Sequence, residues 1–416
     1  MMAYLRQVRC KSVYHKMGLH VLKPTSMDDF EPVETKVPVG SPARFFRDHG
    51  RDYFVCCADF QTLALVLVKP KEMFTLKGDP FFREALRRQA DELLVIPFSE
   101  LADVAAEVAA DVANITTIFV HITMRCGSTL LIKSLEASGL MHSLSESDVY
   151  ANISRYVLSK KAMPEDVTEM LLEVIRHINT LFNYTLLLKD PSKTITCYKM
   201  RGQVFPIADL LRRALPEVKT VLLYRNLLGT VDSWAHVMAE RSYWKYWLIT
   251  ALRLDSFYIN NFLHWAPNSP WENPVFRCIP VPHGVVWFTA CVWLEFMQKA
   301  HDLTKTDAHR CFDVILRYEE LCKYKEKMVA KVIEILGIKC VSEDAKLKIR
   351  EVFGFNSQTG HSLASRGPCR GDSWLGQWEM GIISKILDHV NCEEISRPDF
   401  VLNGTMTQIY DTNGIV

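Results

Sequence analysis

Thr117-Ile118-Phe119-Val120-His121-Ile122-Thr123-Met124-Arg125-Cys126-Gly127-Ser128-Thr129-Leu130-Leu131 decides the fold. Ile118-Phe119-Val120 is short, apolar and rich in β-formers, as a parallel strand covered on both faces should be. A tight basic turn follows, and Gly127 allows a backbone geometry that a Cβ forbids. Ser128 and Thr129 then fall where a helix would start. Unpaired N–H groups and the helix dipole converge at such a point, which makes it an anion site. Arg125 adds a fixed positive charge. The turn is not a GxxxxGK[ST] phosphate loop: the first glycine is missing and the basic residue precedes Gly127. Alone, it would equally serve as a helix-capping turn.

Strands and helices alternate outward from this turn. Helices are expected at 128–137, 164–182, 204–215, from 228, 284–300, 325–336, 343–353 and 378–390. Strands are expected at 185–189, 195–200, 219–224 and 311–318. Alternation of this kind predicts an α/β fold, a three-layer parallel sheet with helices on both faces. Residues 114–392 form that domain, and 393–416 form a C-terminal tail. Residues 1–113 read as a small α+β cap region of no assigned chemistry. Within it 1–40 is irregular, 53–57 and 63–68 are strands, 81–93 is a helix, and another runs from 97 to about 112. The aromatic-rich stretch 240–285 reads as a long insertion, a substrate-facing wall.

Composition narrows the class. The chain has 416 residues, 49% of them apolar, and a formal net charge of +1. A dedicated nucleic-acid binder would be basic, so no nucleic-acid partner is expected. The 12 cysteines form no CxxC pair, and the start lacks a charged-then-apolar leader. Reduced thiols and a cytoplasmic location follow as expectations. The longest apolar runs, 246–263 and 281–297, are interrupted by Arg253 and Asp255 and by His283 and Glu295. Neither reaches the roughly 18 uncharged residues of a membrane helix, so no span is expected. No metal-ligand cluster stands out, and oligomeric state is not legible.

Two more places carry charge suited to phosphate. Arg225 ends the 219–224 strand, and Ser233 would lie two turns into the next helix, so an arginine and a hydroxyl converge where open α/β sheets bind ligands. Arg366-Gly367 and Arg370-Gly371-Asp372-Ser373-Trp374 lie in a Gly/Arg loop able to wrap a phosphate.

Together these motifs resemble the sulfotransferases that use 3′-phosphoadenosine 5′-phosphosulfate (PAPS). Arg125, Cys126, Gly127, Ser128 and Thr129 resemble the family's 5′-phosphosulfate loop. Arg225 and Ser233 match its 3′-phosphate motif in type and spacing, and Arg366-Gly367 is similar to its closing C-terminal loop. Arg317-Tyr318-Glu319-Glu320-Leu321 resembles the strand end that precedes that loop. The resemblance spans about residues 114–390 and implies a P-loop nucleotide-binding type of sheet. It also implies PAPS as donor, sulfonate transfer to an acceptor hydroxyl or amine without a metal, and an acceptor that the sequence does not identify.

Two departures bear on catalysis. The small-molecule branch has Lys-x-His, whereas this chain has Lys199-Met200-Arg201, closer to carbohydrate-type or invertebrate-type members. Ser145-Glu146-Ser147 keeps a carboxylate and loses the usual proline. Glu146 is therefore the first candidate for the general base, with His142 and His121 behind it. Arg125 is expected to neutralise charge on the bridging oxygen of the leaving nucleotide, and Lys199 and Arg201 to steady the transferring sulfonate. The alternatives are a nucleotide-dependent kinase on a P-loop scaffold, or a catalytically silent nucleotide-binding relative that acts through a partner.

Overall fold

The computed structural model describes residues 2–11, 23–71, 82–160, 162–239, 242–262, 270, 273–307, 309–338, 342–354 and 373–407. Its strands are β1 (Tyr4–Cys10), β2 (Phe30–Pro32), β3 (Val37–Pro38), β4 (Phe54–Asp59), β5 (Ala64–Pro70), β6 (Ala90–Pro97), β7 (Thr116–Ile122), β8 (His142–Ser145), β9 (Ile195–Lys199), β10 (Lys219–Tyr224) and β11 (Val314–Arg317). Its helices are α1 (Pro42–His49), α2 (Phe82–Arg88), α3 (Phe98–Val112), α4 (Ser128–Ala137), α5 (Asp148–Leu158), α6 (Glu165–Lys189), α7 (Ala208–Ala214) and α8 (Leu227–Met238). They continue with α9 (Tyr243–Ala251), α10 (Leu254–Phe262), α11 (Pro274–Arg277), α12 (Val285–Thr304), α13 (Tyr318–Ile335), α14 (Glu343–Val352), α15 (Gln377–Val390) and α16 (Glu393–Ser396).

Packing divides the chain into two compact units. One joins Met1–Phe119 to Leu140–Lys219, and the other joins Val120–Gly139 to Thr220–Val416. Described side chains before residue 119 share an apolar cluster with others from 140–219.

In the first unit, an antiparallel sheet has the order β2-β1-β6-β5-β4, with β3 also on β1. Its inner face and the helices below it form one apolar cluster, from Val55 and Leu67 through Val104 and Val108 to Ile175 and Phe182. α3 packs on α6, and α5 packs on β4. Polar contacts lock the same joint: Tyr184 Oη donates to Arg47 O at 3.1 Å, and Asn152 Nδ2 donates to Thr25 O at 3.1 Å. β8 and β9 run parallel, from His142 opposite Thr196 to Ser145 opposite Lys199.

In the second unit, β10 and β11 are parallel, with Tyr224 opposite Arg317. The described chain between them is mostly helical, from α8 to α12, as parallel connections usually are. α12 forms the middle of this core. Trp287 and Trp293 on it are fully buried, and it packs against α8 and α15. α4 lies against α14. Just beyond β7, Thr123 N donates to Leu223 O at 3.1 Å, which brings the turn at 123–129 beside the end of β10.

Helix α4 and strand β10 have the bounds expected from sequence. Other stretches differ. Residues 1–40 contain three strands, because β1 is sandwiched between partners and does not alternate cleanly between buried and exposed. Residues 81–93 split into α2 and β6. Ala90–Pro97 is held between β1 and β5, and that pairing overrides the helix preference of Glu92, Leu93 and Leu94. Residues 185–189, expected as a strand, are the last turn of α6, where Thr185 and Leu186 are buried. A helix buried on all sides and a buried strand leave the same short apolar run.

Candidate functional site

The turn in the second unit is built around two left-handed residues. Gly127 has φ +83° and is the N-cap of α4. Having no side chain, it gives the start of the helix no side-chain cap, and its carbonyl accepts from Leu130 N at 3.0 Å and from Leu131 N at 3.2 Å. The first turn of α4 carries no acidic residue. A Cβ at position 127 would lie 2.3 Å from the Tyr318 ring, so only glycine fits above that ring. Arg125 has φ +53°, a region that costs a side-chain-bearing residue about 1–2 kcal/mol.

The strain at Arg125 accompanies a specific contact. Its Nε donates to Ser233 Oγ at 3.1 Å, and its carbonyl accepts from Arg225 Nη1 at 3.5 Å. Three residues assigned to phosphate binding thus converge, although they lie 100 and 108 residues apart in sequence. Ser233 Oγ accepts from Arg125 and keeps its own proton to donate. Arg225 lies over the Tyr318 ring, 4.5 Å from its centroid, and its carbonyl accepts from Trp293 Nε1 at 2.8 Å. Next to it Asn226 caps α8 by accepting from Gly229 N at 2.7 Å, while its Nδ2 donates to Glu319 Oε1 at 2.7 Å. Glu319 in turn pairs with Arg317 at 3.0 Å.

Arg366, Gly367, Arg370, Gly371 and Asp372 lie outside the described residues. The chain just after them is fixed to α8. Asp232 accepts from Trp374 N at 2.7 Å and from Ser373 Oγ at 3.2 Å. The Trp374 ring stacks on His236 at 3.7 Å. Asp232 immediately precedes Ser233, so the stem of the Gly/Arg loop is tied one residue from the serine assigned to phosphate.

The first unit holds a second constellation, a buried cluster of charges. Lys199, at the end of β9, pairs with Glu146 at 2.8 Å, and their side chains are 2% and 15% exposed. Arg83 of α2 reaches Glu146 at 3.8 Å and Glu84 at 3.5 Å. Arg201 pairs with Asp148, which also accepts from Thr25 N at 2.8 Å and Thr25 Oγ1 at 2.7 Å. Burial pushes the Glu146 carboxyl up, but Lys199, Arg83 and Arg201 outweigh it and hold it down to about 2. Burial opposes ionisation of Asp148 as well, and there Arg201, Arg83 and the Thr25 hydrogen bonds win, so its carboxyl is lowered. Glu146 is held at φ +58°. A carboxylate this acidic is ionised at neutral pH and is a weak proton acceptor.

His121 and His142 differ from that cluster. His121 is buried in the second unit beside Phe312, and burial lowers its imidazole to about 4, so it is neutral at pH 7. A ring nitrogen of His142 is 3.2 Å from Asp190 O in the first unit.

Sequence reasoning missed Arg83, Thr25 and Asp148, which lie in the supposed cap or beside a motif rather than in one. It also missed the shelf role of Tyr318 and the anchor role of Asp232. Among the described residues no group of histidine, cysteine or carboxylate side chains could hold a metal ion.

No protein-family model matches the chain, and no curated protein matches it. Solved structures similar to it include a sulfotransferase from Alicyclobacillus acidocaldarius, at 13% identity over 55% of this chain and 84% of that one, with a TM-score of 0.33. Sulfotransferase STF9 from Mycobacterium avium is 12% identical over 71% of this chain and 80% of that one, with a TM-score of 0.36. The sulfotransferase domain of the Synechococcus PCC 7002 olefin synthase is 14% identical over 67% of this chain and 95% of that one, with a TM-score of 0.30.

Proposed function

We propose that the protein is a PAPS-dependent sulfotransferase whose second unit binds the donor nucleotide on a P-loop type α/β scaffold. The observation that carries this reading is the meeting of Arg125, Arg225 and Ser233 at the N-terminus of α4. One phosphate fits the glycine-capped helix start at Gly127, Ser128 and Thr129, where the positive end of the helix dipole favours an anion. A second fits Arg225 and Ser233, a guanidinium beside a hydroxyl that still has a proton to give. Two separate phosphate sites suit a 3′,5′-bisphosphate better than the single phosphate chain of ATP. Arg366 and Gly367 are assigned to the same 3′-phosphate, and Cys126 to the turn's backbone.

In the reaction the acceptor oxygen forms a bond to sulfur as the bond from sulfur to the bridging oxygen breaks. The nucleotide leaves as 3′-phosphoadenosine 5′-phosphate, and the acceptor proton passes to a base. By analogy with phosphoryl transfer, fixed charge does most of the work. Arg125 neutralises charge that develops on the leaving oxygen. Lys199 and Arg201 are assigned to the sulfonate, and Glu146 to the acceptor side. The low pKa of Glu146 favours its acting as the counterion that orients Lys199, with proton uptake as its lesser role.

Arg225→Ala should weaken binding of 3′-phosphoadenosine 5′-phosphate more than tenfold, measured by calorimetry. Arg225→Lys keeps the charge, loses the fork geometry, and should fall between the two. Unchanged affinity in a folded Arg225→Ala protein overturns the site.

A further inference from the structure

We propose that helices α9 and α10 form a docking surface for an anionic lipid bilayer. Both helices present an inner and an outer face. On α9, Tyr246 and Thr250 are buried one turn apart, and Tyr246 Oη donates to Glu379 at 3.1 Å. Trp244, Trp247 and Ala251 occupy the i, i+3, i+7 positions of the opposite face. On α10, Asp255 and Ile259 turn inward, and Leu254 and Phe257 turn outward.

The outer face is unusually apolar. Among the described residues, six of the exposed large hydrophobic side chains lie between Tyr243 and Phe257. Trp244 is 63% exposed, Phe257 62%, and Trp247 and Leu252 60% each. Scattered exposed apolar residues are ordinary, but a contiguous group marks an interaction surface. Arg253 lies 6.0 Å from the centroid of the Trp378 ring, which extends the same surface to the start of α15.

Charge selects the occupant. Residues 242–262 contain Lys245, Arg253 and one carboxylate, Asp255. Asp255 is 3% exposed and accepts from Val285 N at 3.0 Å, so it contributes nothing to the outer face. Among the described residues of α9 and α10 the exposed face is thus tyrosine, tryptophan, leucine and phenylalanine with Arg253 as its exposed charge. That is the composition of a helix lying in a bilayer interface, with tryptophan at headgroup level and basic residues against anionic lipid. A second copy of the chain fits less well, because a two-fold contact through this face would oppose cations to cations.

Flotation of the full-length protein with phosphatidylcholine vesicles, with and without phosphatidylserine, tests the proposal. The protein should float with the anionic vesicles and partition several-fold less onto neutral ones, since each basic residue near the surface is worth roughly fivefold. Trp244→Ser/Trp247→Ser should lose at least tenfold in partitioning with an unchanged circular dichroism spectrum. If that variant does not fold, Leu254→Ser/Phe257→Ser makes the same test on α10. Arg253→Glu should lose the preference for phosphatidylserine. Three results overturn the proposal: wild type that stays in the aqueous fraction with both vesicles, serine variants that float like wild type, or a wild-type dimer that the serine changes dissolve and that binds no vesicle.

Discussion

Lys199→Met should destabilise the first unit by about 3 kcal/mol at pH 7, because it strands a carboxylate that has little water to fall back on. The wild-type pair is 2.8 Å apart, with side chains 2% and 15% exposed. The Glu146 carboxyl moves from 4.5 to about 2, and each unit corresponds to about 1.4 kcal/mol, which gives about 3 kcal/mol of coupling between ionisation and folding. Arg83 at 3.8 Å remains in the variant, so the loss should sit at the lower end of the roughly 3–5 kcal/mol expected for breaking a buried pair. The sign with pH is fixed by the direction of the shift. A lowered carboxyl contributes stability above its unfolded pKa, near 4.5, and loses it as pH falls through about 2. Wild type should therefore weaken progressively in acid, and Lys199→Met should lose part of that dependence. Denaturant titration read by hydrogen exchange of peptides spanning 142–158 and 195–201 reports this unit by itself. Glu146→Gln/Lys199→Met should recover at least half of the loss, since a neutral amide no longer needs the ammonium. If the two single changes and the double change add within about 0.5 kcal/mol, the pair is not coupled and the electrostatic account of this cluster fails.

Other consequences can be checked in the same way. Gly127→Ala places a methyl 2.3 Å from the Tyr318 ring at φ +83°, and should cost at least about 2 kcal/mol in the second unit. All nine tryptophans lie in that unit, so their fluorescence follows it; wild-type stability would show that the ring does not hold the turn. Gly127→Ala/Tyr318→Ala should relieve the clash and keep the backbone cost of about 1 kcal/mol. Asn183→Leu removes the hub of a buried network in the first unit. Asn183 Nδ2 donates to Thr117 Oγ1 at 2.9 Å, and its Oδ1 accepts from Thr196 and from Tyr198 Oη, each at 2.8 Å. Thr196 Oγ1 and Thr117 Oγ1 still reach each other at 3.4 Å, but Tyr198 Oη loses its acceptor, which should cost at least about 1 kcal/mol by chemical denaturation; a neutral outcome would mean that water or rotation replaces the bond.

What the sequence made legible follows physical locality. The turn at Arg125–Thr129, α4 and β10 are specified by contiguous residues: a short β-branched run, a glycine where φ must be positive, and a capped apolar helix. The convergence of Arg125, Arg225 and Ser233 was also accessible, because a strand end and the helix after it have predictable positions. β6 and the end of α6 were misread where a largely buried apolar run lost the periodicity that separates helix from strand. The charge cluster was hidden for another reason. Glu146 and Lys199 were legible as motif residues, but the Glu146 carboxyl is also held down by Arg83, which sits about 60 residues before it in a segment with no motif of its own. Burial makes such partners decisive, because a buried carboxylate is kept ionised only by the cations that reach it. The N-terminal segment is therefore part of the electrostatics of this unit: Arg83 joins Lys199 in holding the Glu146 carboxyl down, and Arg83 and Thr25 join Arg201 in doing the same for Asp148.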